Sequence, residues 1–178
     1  YGHAIAAGIK QDELDLAYIF VPDCVATAAV FTQHKFAASS VTHTKRCIKK
    51  SDTLKAILIN SGNANAITGN KGAQDTKMLA KLVANQLNIN PQEVGIASTG
   101  IIGVPLPMQS ITAEIPKLFK NKEAKQGQKI AKAILTTDLV EKTVSVTKKI
   151  NKKTITIAGI TKGSGMIAPN MATTLAFL

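Results

Sequence analysis

Apolar and polar positions change period several times along this chain, and each change marks an element. Gly2 to Lys10 is small and apolar, the pattern of a buried strand; Asp12-Glu13 makes a polar turn, and Leu14 to Val21 alternates loosely as a second strand. Pro22-Asp23 breaks that run, and Cys24 to Phe31, rich in Ala and Val, reads as a third strand, so an antiparallel start is expected. Ser39-Ser40 is placed to cap a short basic helix over Val41 to Lys50.

Leu54 to Asn60 is a nearly continuous apolar strand that stops at Ser61-Gly62-Asn63-Ala64-Asn65-Ala66. Asn tolerates left-handed backbone and its amide binds backbone groups, so these residues predict a tight loop rather than a phosphate cradle, whose glycine spacings are absent. Ala73 to Leu87 is the clearest amphipathic helix: Leu79, Leu82, Val83 and Leu87 share a face, with Lys77, Lys81 and Gln86 off it. Asn90-Pro91 ends that unit and Val94 to Ser98 is another short strand. Gln109 to Phe119 and Asn121 to Leu135 predict two more helices. Val140 to Ile150 and Lys153 to Ile160 alternate well about Asn151-Lys152, which predicts a hairpin.

Composition narrows the class. The chain has 178 residues, 45% hydrophobic and 19% charged, enough to bury a core and far from a disordered bias. Aromatics are 4% and Trp is absent, so that core must be aliphatic. No apolar run reaches a membrane span and no signal peptide is visible, so a cytoplasmic protein is expected. The chain starts at Tyr1 without Met, as if leading residues had been removed or left out. The net charge of +11 raises the question of nucleic acid. Its lysines, however, fall in separate groups without interleaved stacking aromatics, so no nucleic-acid partner is expected; a positive field would equally serve an anionic substrate. Cys24 and Cys47 form no CxxC, and His3, His34 and His43 are scattered, so no metal site is expected.

Three places carry candidate chemistry. A strand ending at Thr99-Gly100 presents a hydroxyl beside a backbone N–H, the makings of an oxyanion hole; a strand-end Thr-Gly is also an ordinary turn. Thr136-Thr137-Asp138 could bind a polar substrate or simply end a helix. Thr161 to Leu178, TKGSGMIAPNMATTLAFL, combines kinking glycines, a small Ala172 and the hydroxyl of Thr173. That is what a chain needs if a Thr hydroxyl attacks the preceding carbonyl, and a Thr freed as a new N-terminus brings its own base. The same stretch also fits a turn leading into a buried strand.

In order, FTQHKFAASSV, LINSGNANAITGNKG, STGIIGVPLPM, AILTTD and TKGSGMIAPNMATTLAF closely resemble the ornithine acetyltransferase family of arginine biosynthesis, from Ala6 to Leu178. The resemblance implies an α/β (α+β) fold, stacked mixed β-sheets covered by helices, the N-terminal half of a DmpA/ornithine-acetyltransferase-like sandwich. It implies an acyltransferase precursor that cuts itself between Ala172 and Thr173. Thr173 would then be the nucleophile, Thr99 and Gly100 the oxyanion hole, and Thr136 (rather than Thr137) with Lys162 the substrate contacts. The acetyl group would pass from N-acetylornithine to glutamate, with no cofactor; some members also take acetyl-CoA as donor. Residues 1–178 are then expected to be a single domain, the α part of the precursor. A mature α chain would end at Ala172; the β half would be missing after Leu178, leaving apolar edges uncovered and an inactive fragment. Family members assemble as α2β2. A self-processing amidopeptidase, which would hydrolyse its acyl-enzyme, and a basic dimerising or nucleic-acid-binding module are the rival readings.

Overall fold

A computed structural model of the chain describes residues 1–120, 126–164, 171 and 174–178. Four strands make the first sheet: β1 (Gly2–Ile5), β2 (Leu16–Phe20), β3 (Ala56–Asn63) and β4 (Val94–Ile101), lying side by side in that order. β1 and β2 pair antiparallel, as do β2 and β3, whereas β3 and β4 run parallel. A parallel pair needs a crossover, and the 19-residue α2 (Gly69–Leu87) supplies it.

The two-residue period of the strands decides the layers. Leu16, Tyr18, Ala56, Leu58, Val94 and Ile96 point to one face, where α2 and α3 (Met108–Lys120) lay down Leu79, Val83, Ile111, Ile115 and Leu118. Ala4, Ala17 and Ile59 point to the other, against Ile130, Ala133 and Ile134 of α4 (Gly127–Ala133) and its C-terminal end. The second sheet closes on that same face: β5 (Lys142–Ile150), β6 (Lys153–Lys162) and β7 (Leu175–Phe177), from which Ile160, Leu175 and Phe177 pack into the cluster. The result is an α+β fold of two stacked sheets, one mixed and one antiparallel, with α2 and α3 on the outer face of the first and α4 on the side of the second.

The β5–β6 hairpin turns at Asn151-Lys152 with φ of 50° and 66°, and Ile150 pairs with Lys153. Such a two-residue turn with both φ positive matches the twist of the flanking strands.

Three expectations are corrected. Cys24 to Phe31 forms no strand: Val25 and Val30 are exposed and no described strand pairs with the segment. Its β-branched residues favour a pleated surface only where one is available to pack on. The first strand is shorter than its apolar pattern: the chain leaves the sheet after Ile5, because the loop from Ala6 to Lys10 turns back to bind the Asp15 carboxylate. Ser39 and Ser40 do not cap α1 (Ser39–Ser51); they are its first residues, and Ala38 stands at the cap position without a side-chain bond. The helix expected over Asn121 to Leu135 is seen as α4, and residues 121–125 lie outside the described set.

Candidate active site

The parallel strands β3 and β4 end together, and the polar residues singled out in the sequence gather around that end. Asp15, with no exposed surface, organises one wall: its carboxylate accepts the N–H groups of Ala7 (2.7 Å), Ile9 (2.6 Å) and Lys10 (2.9 Å). Its own carbonyl accepts the Ser61 N–H at 2.9 Å, which ties this loop to β3. Lys10 is thereby aimed across the site, donating to the Leu135 carbonyl at 3.2 Å and pairing with Glu13 at 2.9 Å.

The asparagine loop after β3 is a structural clamp. Asn63 donates to the Val104 and Pro105 carbonyls, and Asn65, fully buried, donates to the Gly72 carbonyl and the Thr76 hydroxyl. Gly72 must lack a side chain here, since a Cβ would run into Thr68 Oγ1 and Asn65 Oδ1. The loop therefore starts α2 at Gly69, four residues earlier than its apolar stripe.

Thr99 and Gly100 lie on β4 opposite Ser61 and Gly62 of β3. Gly100 has φ of +132° and comes so close to β3 that a Cβ would collide with the Gly62 carbonyl carbon. The register slips at Gly62/Asn63, the mark of a bulge that opens the strand pair there. Gly100 is exposed and Thr99 is 5% exposed, and the Thr99 hydroxyl binds no other group among the described residues. A free hydroxyl beside a strand-end peptide can meet an anionic oxygen.

Ser61 joins this pair to the next segment. Its hydroxyl donates to the Ala133 carbonyl at 2.5 Å, at the end of α4, three residues before Thr136. There Lys162, the last residue of β6 and only 3% exposed, donates from Nζ to Thr136 Oγ1 at 3.1 Å. Thr137 instead meets Ser164, at 2.6 Å and in an exposed position, so Thr136 is the hydroxyl that shares a site with Lys162. Burial pushes the Lys162 ammonium below its ordinary pKa; the Asp138 carboxylate works against that shift and the Lys142 ammonium adds to it. A buried cation without a directly bonded carboxylate among the described residues, at the meeting point of three segments, is a functional-site signal.

The chain just after the expected cleavage point returns to Lys162. β7 pairs with β6 so that Leu175 lies opposite Lys162, and Thr161 donates its hydroxyl to the Leu175 carbonyl at 3.0 Å. Thr174 flanks Gly163, whose absent Cβ would lie 3.3 Å from Thr174 Oγ1. Ala172 and Thr173 lie outside the described residues. An open groove of ≈ 1210 Å³ runs from Ser98 of β4 past Ile57 and Ile160 to Thr174 and Phe177.

Sequence patterns did not mark Asp15 or Ser61 as site builders. The signals were an acid inside a strand pattern, and a Ser at the point where an apolar strand stops.

Comparison with known proteins places this architecture. The chain matches the ArgJ family over residues 2–178. It is 42% identical over its whole length to the arginine biosynthesis bifunctional protein ArgJ of Oceanobacillus iheyensis and 45% identical over 172 residues to that of Staphylococcus epidermidis. In each case it spans 43% of the relative's length. Among solved structures it superposes on the ArgJ protein of Bacillus halodurans with a TM-score of 0.89 at 39% identity, covering 96% of this chain and 90% of that one. Ornithine acetyltransferase from Mycobacterium tuberculosis, solved with ornithine, gives 0.87 at 37% identity, covering 96% and 91%.

Proposed function

The chain belongs to the ArgJ family, and on that premise we propose that it forms the N-terminal part of an acetyltransferase that moves an acetyl group from N-acetylornithine to glutamate. The observation that carries the reading is the buried Lys162–Thr136 contact, on which Thr174 and Leu175 fold back, next to the Ala172-Thr173 junction in sequence. The lengths support a precursor made of two parts. The chain covers 90% of the solved Bacillus halodurans polypeptide but 43% of the curated Oceanobacillus iheyensis relative.

In this reading the peptide between Ala172 and Thr173 is cut and Thr173 gains a free α-amine. That amine takes the proton as the Thr173 hydroxyl attacks the acetamide carbonyl of N-acetylornithine. Charge builds on the carbonyl oxygen, and the Thr99 hydroxyl and Gly100 N–H donate to it. The intermediate collapses, ornithine leaves with the proton, and the acetyl group stays on Thr173 as an ester. The glutamate amine then attacks that ester, and N-acetylglutamate departs as the hydroxyl recovers its proton. Lys162 supplies the cation that a substrate carboxylate needs, with Thr136 beside it as a further donor. Its charge also lowers the pKa of a nearby amine, so that the Thr173 amine is neutral and able to accept a proton. Acetyl-CoA entering as an alternative donor would load the same ester. The remaining length of the precursor would be the partner chain, as in an α2β2 assembly.

The test is Thr173→Ala in the full-length protein. Gel electrophoresis and N-terminal sequencing are expected to show one uncut chain, and product analysis to show no N-acetylglutamate. A variant that still splits would remove Thr173 as nucleophile. Free acetate in place of N-acetylglutamate from the wild type would make the protein a hydrolase.

A further inference from the structure

Asp138 lies in the join between the two segments that make the candidate site. It follows α4 and precedes β5, and its side chain has no exposed surface. Oδ1 accepts the Gly163 N–H at 2.8 Å and also the Lys142 ammonium, while Lys142 reaches the Gly163 carbonyl at 3.3 Å. The residue after Lys162 is therefore held at both its N–H and its C=O by one ion pair. Two residues before Asp138 stands Thr136, the partner of Lys162. One carboxylate thus ties together the two segments whose contact forms the site. Its second oxygen, Oδ2, is buried without a hydrogen-bond partner among the described residues. An uncompensated carboxylate oxygen is a costly thing to bury and calls for an electrostatic reason. Lys162 supplies one, as a second cation acting on Asp138 beside Lys142.

We propose that Asp138 is a positioning residue of the acetyltransfer site: through Gly163 and Lys142 it aligns Lys162 on Thr136, and it serves as the buried counter-charge that keeps Lys162 cationic for a substrate carboxylate. This rests on the reading that Lys162 binds substrate. Burial alone would raise the Asp138 pKa; the hydrogen bonds from Lys142 and Gly163 and the charges of Lys142 and Lys162 outweigh it, so the group stays ionised. The other titratable groups near Lys162 are few among the described residues. Asp138 and Lys142 are the charges that act on Lys162; Lys132 of α4 is paired with Glu141 at 3.5 Å, and Lys10 of the opposite wall with Glu13. β7 presents Leu175.

Two substitutions in the full-length enzyme separate this role from mere structure, because they move Lys162 in opposite directions. Asp138→Asn keeps an acceptor for Gly163 but removes the charge. The alkaline limb of kcat/KM is expected to move down by about 1 pH unit, and KM for N-acetylornithine to rise more than kcat falls. Lys142→Gln removes a competing cation, and the limb is expected to move up. Asp138→Glu should restore part of the wild-type profile. An unshifted limb in Asp138→Asn, or shifts of the same sign in the two variants, overturns the role of Asp138. If Asp138→Asn does not fold, Asp138→Glu decides: its longer arm keeps the charge but displaces Gly163, so KM for N-acetylornithine should rise with the limb in place, and an unchanged KM overturns the role. A wild type that transfers no acetyl group from N-acetylornithine overturns the functional reading and this inference with it.

Discussion

Lys162 holds an ammonium in a place where only 3% of the residue meets solvent, bonded to a neutral hydroxyl. Its lowered pKa has two consequences of opposite sign. The proposed contact to a substrate carboxylate needs the cation, so on that reading activity is expected to fall as pH rises through the lowered value, before ordinary lysines near 10.5 lose their protons. Stability moves the other way. Between the lowered folded value and the unfolded one the unfolded chain binds more protons, so the burial penalty is complete below that window and gone above it. Thermal melts of wild type against Lys162→Met over alkaline pH should show the wild type gaining on the variant as pH rises. In the assay, Lys162→Ala removes a charge-assisted hydrogen bond worth about 1.5–3 kcal/mol, so kcat/KM for N-acetylornithine should drop about 10- to 100-fold. Unchanged kinetics would take Lys162 out of the site.

Among the elements, β4 shows how an exposed sheet edge is closed without a further strand. Helix α1 lies along it, and the Thr44 hydroxyl both accepts the Ile96 N–H and donates to the Ile96 carbonyl, each at 2.8 Å. His43 reaches the Val94 carbonyl at 3.0 Å. Thr44→Val keeps the shape but leaves two buried backbone groups unpaired, and should cost about 2–4 kcal/mol. Urea denaturation should show a lower midpoint with an unchanged slope. None of this could be read from the basic stretch Val41 to Lys50, which looked only like a charged helix. The strands were legible wherever alternation met a partner: Leu16, Tyr18, Ile57 and Ile59 keep their period, and Asn151-Lys152 marks its hairpin. Cys24 to Phe31 has the composition of a strand and nothing to pair with. Local pattern reports what a segment favours, whereas pairing depends on what lies alongside. The site divides in the same way. Thr99, Gly100, Thr136 and Lys162 stand out through motif blocks, while Asp15, Ser61 and the inward turn of Asp138 depend on contacts between distant segments.

For the molecule as a whole, the telling surface is the β5–β6 hairpin. Val144, Val146, Ile155 and Ile157 share one face by register, with Val146 directly across from Ile157, and they are 46–64% exposed. The other face carries Thr143, Ser145, Thr147, Thr154 and Thr156, with Thr147 bonded to Thr156 across the strands at 3.0 Å. An amphipathic ribbon of this kind is arranged to be covered on its apolar side, because alternation that sorts valine and isoleucine to one face serves nothing in open water. The chain spans 43% of the length of its Oceanobacillus iheyensis relative, and a protein of that relative's length would have further sequence to lie there. The expectation is checkable by stability alone. Val146→Asp at a truly exposed position would change stability by no more than about 0.5 kcal/mol, whereas burial of that aspartate without a partner would cost several times as much. Thermal melting of full-length Val146→Asp against Thr147→Asp, one residue along on the hydroxyl face, therefore measures whether the apolar face is covered. A clear loss for the first and little change for the second is the expected result, and equal small changes for both would leave the hairpin in solvent.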